Sequence, residues 1–286
     1  MSRTAANSSE ITRVGIIGCG SMGSELAMVA AKGDAGPAEV VALFDVFEPG
    51  RQKLATSIKE MSGSEPAQFD DVDEMIANTE CDLIVECASQ QAVFATAEQV
   101  LSSGVSMLIM SSGALLNADF MSKVEAATKT SGASLYVPSG AVGGIDALRA
   151  AKHLLEEVTI TSSKKPVSLA GAPGFSDWED KEITEPTVVF DGNAAEAVGL
   201  FPANVNVAAT VSLAGVGAEK TRVKVVADPD SLGNVHEISA KSKAGNFSFK
   251  FENMPYEHNP KTSYLAALAA IETLRSICNG GLRIGT

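Results

Sequence analysis

Among the residue types in this chain, an imidazole at position 236 is the best suited to moving a proton. His236 stands in Asn234-Val235-His236-Glu237-Ile238, and a histidine exchanges its proton close to neutral pH. Strand periodicity places it on one face with Ile238 and Ala240, which is equally the setting of a histidine buried for packing. The other two of the three histidines sit elsewhere: His153 beside Leu154 and Leu155 in a helical pattern, His258 in a loop before Asn259-Pro260. No group of His, Cys, Asp or Glu has the spacing of metal ligands, so chemistry without a metal is expected. Two polar runs complete the candidates. Asn204-Val205-Asn206 opens a helix after Phe201-Pro202; one asparagine serves as its N-cap, and the amide of the other is available to a carboxamide or a ribose. Asn259-Pro260-Lys261-Thr262-Ser263 opens the last helix, with Thr262 or Ser263 as cap. There Lys261 either joins the helix start in an anion site suited to a carboxylate or is simply solvated.

A proton carrier needs a reaction to serve, and the amino-terminal part of the chain suggests one. Arg13-Val14-Gly15-Ile16-Ile17 is a short apolar strand, followed by Gly18-Cys19-Gly20-Ser21-Met22-Gly23 and a helical pattern over Ser24–Ala31. Glycine at 18 permits a tight turn, at 20 a close approach of backbone to phosphate, and at 23 close packing of helix on strand. Ser21, Met22 and Gly23 begin that helix, whose positive end suits a pyrophosphate. A second strand, Glu39–Phe44, ends in Asp45, 22 positions after Gly23, where an acidic residue meets the adenosine ribose hydroxyls. Asp45 alternatively caps the helix entered at Glu48-Pro49-Gly50. Its charge repels a 2′-phosphate and favours NAD, whereas nearby Arg51 suits NADP, so either nicotinamide cofactor is expected.

The positioning elements alternate through the first half. Helices are expected over Val72–Asn78, Gln91–Ser102 and Phe120–Thr130, and strands over Asp82–Cys87, Val105–Met110 and Ser134–Val137. This pattern predicts an α/β fold, a Rossmann-type doubly wound parallel sheet. The loops at Ala88-Ser89-Gln90, Ser111-Ser112-Gly113 and Ser139-Gly140-Ala141 lie at the carboxyl ends of strands, where ligands collect, and Ala88 and Ser89 are placed against the cofactor. The second half predicts an α+β domain with a mixed or antiparallel sheet. It has a helix over 144–157, strands at Val158–Ser162, Thr187–Phe190, Thr221–Ala227, Val235–Lys241 and Phe247–Phe251, and helices at Ala194–Leu200 and Asn204–Ala214. A closing helix with Tyr264, Leu268, Ile271 and Leu274 at helical spacing returns to the first domain. The expected division is therefore a polar leader over 1–10, a dinucleotide-binding domain over 11–138 with 262–286, and a catalytic and dimerisation domain over 139–261.

The chain has 286 residues and a net charge of −13, against wholesale binding of nucleic acid or an anionic membrane surface. No apolar run approaches a membrane span, and the leader lacks the apolar core of a signal peptide. The four cysteines have no paired spacing and read as thiols in a cytoplasmic protein.

Taken together, the glycine motif, Pro138-Ser139-Gly140-Ala141-Val142-Gly143-Gly144-Ile145-Asp146, Phe201–Thr210, Asn234–Ile238 and Asn259–Tyr264 resemble the L-aspartate dehydrogenase family over about residues 13 to 275. The chain differs from that pattern in its leader and in an insertion around Gly174–Pro186. The resemblance implies that Ala141 and Asn206 contact NAD or NADP, that His236 is the active-site histidine, and that the protein is a homodimer acting in NAD biosynthesis. It implies oxidation of L-aspartate to iminosuccinate, or to oxaloacetate plus ammonia, or the reverse amination. The two substrate carboxylates are assigned to Lys261, Thr262 and Ser263, with Lys164 and Lys165 as further cations or solvent-facing lysines. A related dehydrogenase acting on another small acid, or a dinucleotide sensor without catalysis, remains compatible with the residues.

Overall fold

The structure is a computed structural model and describes residues 11–202, 205–257 and 259–279. The expected leader over 1–10, Asn204 and His258 fall outside the described residues, as do the side chains of Pro260 and Lys261. Two compact units divide the chain: residues 11–114, 119–138 and 270–279 in the first, 115–118 and 139–269 in the second.

In the first unit, strands β1 (Thr12–Ile17), β2 (Ala38–Phe44), β3 (Ala67–Phe69), β4 (Leu83–Glu86), β5 (Ser106–Ile109) and β6 (Leu135–Tyr136) form one sheet in the order β3-β2-β1-β4-β5-β6. Every pairing is parallel. Helices α1 (Ser21–Ala31), α2 (Glu48–Ser62), α3 (Val72–Asn78), α4 (Gln90–Ser102) and α5 (Ala118–Ser131) connect the strands. Burial on both faces demands continuous apolar runs rather than alternation, as in β4, where all four residues are buried. Strand β3 escapes sequence reading because it is three residues long and mostly exposed. The chain leaves β1 for β2 on one side and reaches β4 on the other, so the loops diverge at the carboxyl ends of β1 and β4, the place where such sheets take ligands. The last part of the closing helix α9 (Tyr264–Asn279) contributes Ala270, Ile271 and Leu274 to the cluster that holds Val14, Leu26 and Leu43.

The second unit is built on strands β7 (Leu155–Lys164), β8 (Thr187–Asn193), β9 (Thr221–Ala227), β10 (Asn234–Ser242) and β11 (Gly245–Asn253), in the order β11-β10-β7-β9-β8. Neighbours are antiparallel except β7 and β9, which run parallel and make the sheet mixed. Helices α6 (Ile145–Ala151), α7 (Ala194–Leu200) and α8 (Asn206–Ala214) supply Leu148, Ala197 and Ala209 to a core shared with Ile160, Val223 and Ile238 of the sheet.

Several expectations need correction. The helix expected over 144–157 ends at Ala151, and β7 begins at Leu155 after a single 3-10 turn. The β-branched run Val158-Thr159-Ile160-Thr161 belongs to a ten-residue strand that extends upstream through Glu156 and Glu157. Thr262 and Ser263 directly precede the last helix without being part of it. They end strand β13 (Asn259–Ser263), paired with β12 (Pro255–Tyr256), and α9 starts after them at Tyr264. The helix expected from Asn204 begins at Asn206. In the segment Gly174–Pro186, a 3-10 turn over Pro173–Trp178 buries Phe175, and a Cβ on Gly174 would lie 2.4 Å from the Phe201 ring, so this part is tied into the second core. No described helix is long and apolar enough to cross a membrane.

Candidate active site

In the first unit the three motif glycines are required for three different reasons. Gly18 has φ +92°, and a Cβ there would meet the backbone nitrogen of Ala88 at 2.8 Å. A Cβ on Gly23 would lie 1.8 Å from the carbonyl oxygen of Gly18. A Cβ on Gly20 would meet nothing within 4 Å, so no packing among the described residues explains its glycine. Gly20 is the N-cap of α1 and offers no side-chain acceptor, and the first turn, Ser21-Met22-Gly23, has no acidic residue. A helix start with no acidic side chain in its first turn is a place where backbone N–H groups and the positive dipole end suit an anion.

Asp45 fastens this loop to the end of β2. One carboxylate oxygen accepts from the backbone N–H of Cys19 at 2.6 Å and the other from that of Phe47 at 2.8 Å. It does not cap α2, whose N-cap is Phe47. Arg51 donates to the carbonyl oxygen of Asp45, and its Nε is buried without a partner among the described residues. Burial, followed by the charge of Asp45, pushes the Cys19 thiol up to about 12, so it stays protonated. Ser89 caps α4 by accepting from the N–H of Ala92 at 3.2 Å.

Glu86 was not singled out from the sequence. It is fully buried at the end of β4, and its carboxylate accepts from Ala88 N at 2.8 Å, Ser111 N at 3.0 Å and Ser111 Oγ at 2.9 Å. It ties together the loops after β4 and β5, including the expected cofactor residue Ala88. Burial raises its pKa against the opposing pull of these donors. The available signal was an acid closing the apolar run Leu83-Ile84-Val85, at the carboxyl end of a central strand. These features (a glycine with open space around it, an uncapped helix start and an acid at the end of β2) fit a nicotinamide dinucleotide.

In the second unit the covered face of the sheet changes character along β7 and β10. At one end Val158 and Ile160 pair with Ala240 and Ile238, all buried and apolar. Two residues further, His236 pairs with Ser162. The imidazole is 1% exposed, and its Nδ1 lies 2.9 Å from Ser162 Oγ. That contact engages one ring nitrogen, Nδ1. Burial first, and then the charge of Lys164, pushes the imidazole down to about 3, so it is neutral at physiological pH. Asn234, next on the same face, donates its amide to Ser263 Oγ at 3.0 Å. The register therefore joins the expected catalytic residue and one expected substrate residue through neighbouring positions on β10. Thr262 precedes Ser263 on β13 and is half-buried. Ala141 is buried, its carbonyl accepting from the Asn253 amide at 3.0 Å, and Asn206 is the first residue of α8. Of the expected cofactor residues, Gly18, Gly20, Ser21, Met22, Gly23, Asp45, Ala88 and Ser89 thus belong to the first unit, and Ala141 and Asn206 to the second.

Known proteins give the two units consistent relatives. Residues 146–277 match the family model described as aspartate dehydrogenase, C-terminal, and residues 18–138 that of the homoserine dehydrogenase NAD-binding domain. The chain is 41% identical to an L-aspartate dehydrogenase of Nitrosopumilus maritimus and covers 96% of this chain and 99% of that one. It is 43% identical, over the same shares, to an L-aspartate dehydrogenase of Methanosarcina acetivorans. Among solved structures it resembles an aspartate dehydrogenase from Thermotoga maritima with a TM-score of 0.72 and 30% identity, covering 96% of this chain and 100% of that one.

Proposed function

The chain belongs to the L-aspartate dehydrogenase family, and from that premise we propose that it oxidises L-aspartate at Cα with NAD or NADP as acceptor. The immediate product is iminosuccinate, which leaves as such or is hydrolysed to oxaloacetate and ammonia; reductive amination is the same path reversed. A bound nicotinamide would supply the acceptor for the hydride that leaves Cα. The residues of the chain hold the groups and move the protons. Gly18, Gly20, Ser21, Met22 and Gly23 receive the pyrophosphate, and Asp45 the adenosine ribose. Ala88, Ser89, Ala141 and Asn206 line the remainder of the dinucleotide, and Thr262 and Ser263, with Lys261, receive substrate carboxylate.

His236 is the general acid–base group. Aspartate arrives as an ammonium and must lose a proton before its nitrogen lone pair can drive the hydride from Cα. A neutral imidazole whose Nδ1 rests on Ser162 accepts that proton at Nε2. In the hydrolytic branch the same nitrogen takes a proton from water as it adds to the imine carbon, then returns it to the departing amine. An imidazolium buried near the Lys164 ammonium is unfavourable, so the proton is passed on rather than kept. The observation that carries this reading is the buried, neutral, Ser162-held imidazole in a chain whose other unit has an uncapped glycine-rich helix start.

The test is the absorbance of reduced cofactor with L-aspartate, L-homoserine and other amino acids, and in reverse with oxaloacetate plus ammonium. Turnover with aspartate is expected. Turnover confined to another acid, or cofactor binding without any turnover, overturns the reading. We assign the protein a homodimeric state by resemblance and a cytoplasmic place from its cysteines, which have no paired spacing; light scattering and cell fractionation test these.

A further inference from the structure

At the polar end of the covered face of the second sheet, two asparagines stand opposite each other. The β10–β11 register pairs Asn234 with Asn253, His236 with Phe251 and Ile238 with Phe249, and residues so paired share a face. Asparagine is depleted in strands, and a buried amide is costly unless it is hydrogen-bonded. Asn253 is nonetheless 7% exposed, and the mechanism above gives it no task. Its amide donates to the carbonyl oxygen of Ala141 at 3.0 Å, while that of Asn234 donates to Ser263 Oγ at 3.0 Å. The two amides thus reach out to segments 112 and 29 residues away in sequence. Beyond Ala141 the loop stays close to β11. A Cβ on Gly143 would lie 3.3 Å from the Phe251 ring, and one on Gly144, where φ is +73°, 2.6 Å from the Phe249 ring. The loop is therefore seated on β11 by shape at its two glycines and by one hydrogen bond at Ala141. Holding the carbonyl of a planar peptide sets the orientation of that peptide.

We infer that Asn253 and Asn234 are a pair of positioning residues for the reaction: Asn253 sets the loop that carries Ala141, and Asn234 the strand that carries Ser263, at a fixed separation beside His236. This rests on the proposed reading, in which Ala141 receives cofactor and Ser263 a substrate carboxylate. Directly opposed strand residues stand about 5 Å apart, and His236 follows Asn234 by about 7 Å along β10. Two neighbouring strands thereby tie both held segments to the imidazole. Hydride transfer needs reacting atoms roughly 3–3.5 Å apart, and a displacement of about 1 Å costs on the order of 100-fold. Two short hydrogen bonds anchored on one sheet are a means of holding such a separation.

The experiment compares the wild type with Asn253→Leu and Asn234→Leu, close to asparagine in size but without the donor. Both should fold with a lowered Tm, because a carbonyl in one and a hydroxyl in the other lose a donor. The constants separate positioning from support of the fold. Asn253→Leu should raise Kd for reduced cofactor, read by fluorescence, roughly tenfold and lower kcat about tenfold, with KM for L-aspartate within about twofold. Asn234→Leu should do the converse, raising KM for aspartate roughly tenfold with cofactor Kd within about twofold. Asn253→Gln keeps an amide donor and should recover most of the cofactor affinity. Where a leucine variant gives no cooperative melt, Asn253→Ser or Asn234→Ser, too short to span the contact, is read against the same thresholds. The same pattern of loss in both variants overturns the inference. So does a lowered Tm with every constant within about twofold of wild type, which reports amides serving the fold alone. The cofactor titration needs no turnover. A wild type that binds cofactor without oxidising aspartate, and whose affinity Asn253→Leu weakens, removes the proposed reaction and keeps Asn253 as the residue that sets the cofactor loop. A wild type that oxidises aspartate, with both variants unimpaired, keeps the reaction and removes the pair.

Discussion

Replacing Gly20 by alanine separates a glycine kept for a ligand from one kept for the fold. At Gly20 the added methyl meets no atom within 4 Å, and the backbone, at φ −70° and ψ −165°, is one that alanine adopts without strain. Two small effects on stability oppose each other. Alanine is a poorer N-cap than glycine, costing roughly 0.5–1 kcal/mol. It also restricts the unfolded chain, a gain of about 0.4–1 kcal/mol. The sum is near zero, so Tm should move by no more than about 2 °C. Binding is another matter. A methyl projecting from the turn keeps a pyrophosphate from reaching the N–H groups of α1, and Kd for the reduced cofactor should rise at least tenfold, about 1.4 kcal/mol. Gly23→Ala gives the contrast. Its methyl would lie 1.8 Å from the Gly18 carbonyl oxygen, so β1 and α1 must separate, with a stability loss of about 1–3 kcal/mol or more. Fluorescence titration and calorimetry on the two variants read both quantities. A Gly20→Ala protein that binds the cofactor within twofold of wild type refutes the pyrophosphate site, whatever happens at Gly23.

Four further outcomes are expected. His236→Ala should lower kcat by roughly 100-fold or more with cofactor affinity nearly unchanged, and unaltered turnover in a rate assay would return this residue to packing alone. His236 also affects acid stability. Its folded pKa of about 3 lies below the ordinary 6.5, so the unfolded chain binds the extra proton and stability is lost as pH falls through that window. His236→Gln should flatten that part of an acid denaturation profile. Glu86 has the opposite sign: burial raises its pKa, so its ionisation lowers stability as pH rises from the usual glutamate value, and Glu86→Gln should remove that slope while weakening cofactor binding through the Ala88 loop. Asp45→Ser should shift the ratio of kcat/KM values toward NADP, a shift absent if the carboxylate only braces Cys19 and Phe47.

The sequence by itself determined the first unit almost completely. Its buried strands are continuous apolar runs and its turns need glycine, and both are local demands that each segment states alone, as in Ile16-Ile17-Gly18 and Leu83-Ile84-Val85. It also placed His236, Ile238 and Ala240 on one face, because side-chain alternation in a strand is local too. Local signals failed where pairing supplied the reason. Strand β3 exists because β2 offers it hydrogen bonds, and Asn259–Ser263 extends because β12 lies beside it. The partners of the candidate groups were decided only in three dimensions. Ser162 and His236 are 74 residues apart and Glu86 and Ser111 are 25 apart, and no spacing rule links either pair. Strand register brings the first pair together, and adjacent parallel strands ending at the same level bring the second. Whether a histidine, a lysine or a glutamate is buried depends on which strand becomes its neighbour, and that is a property of the folded sheet.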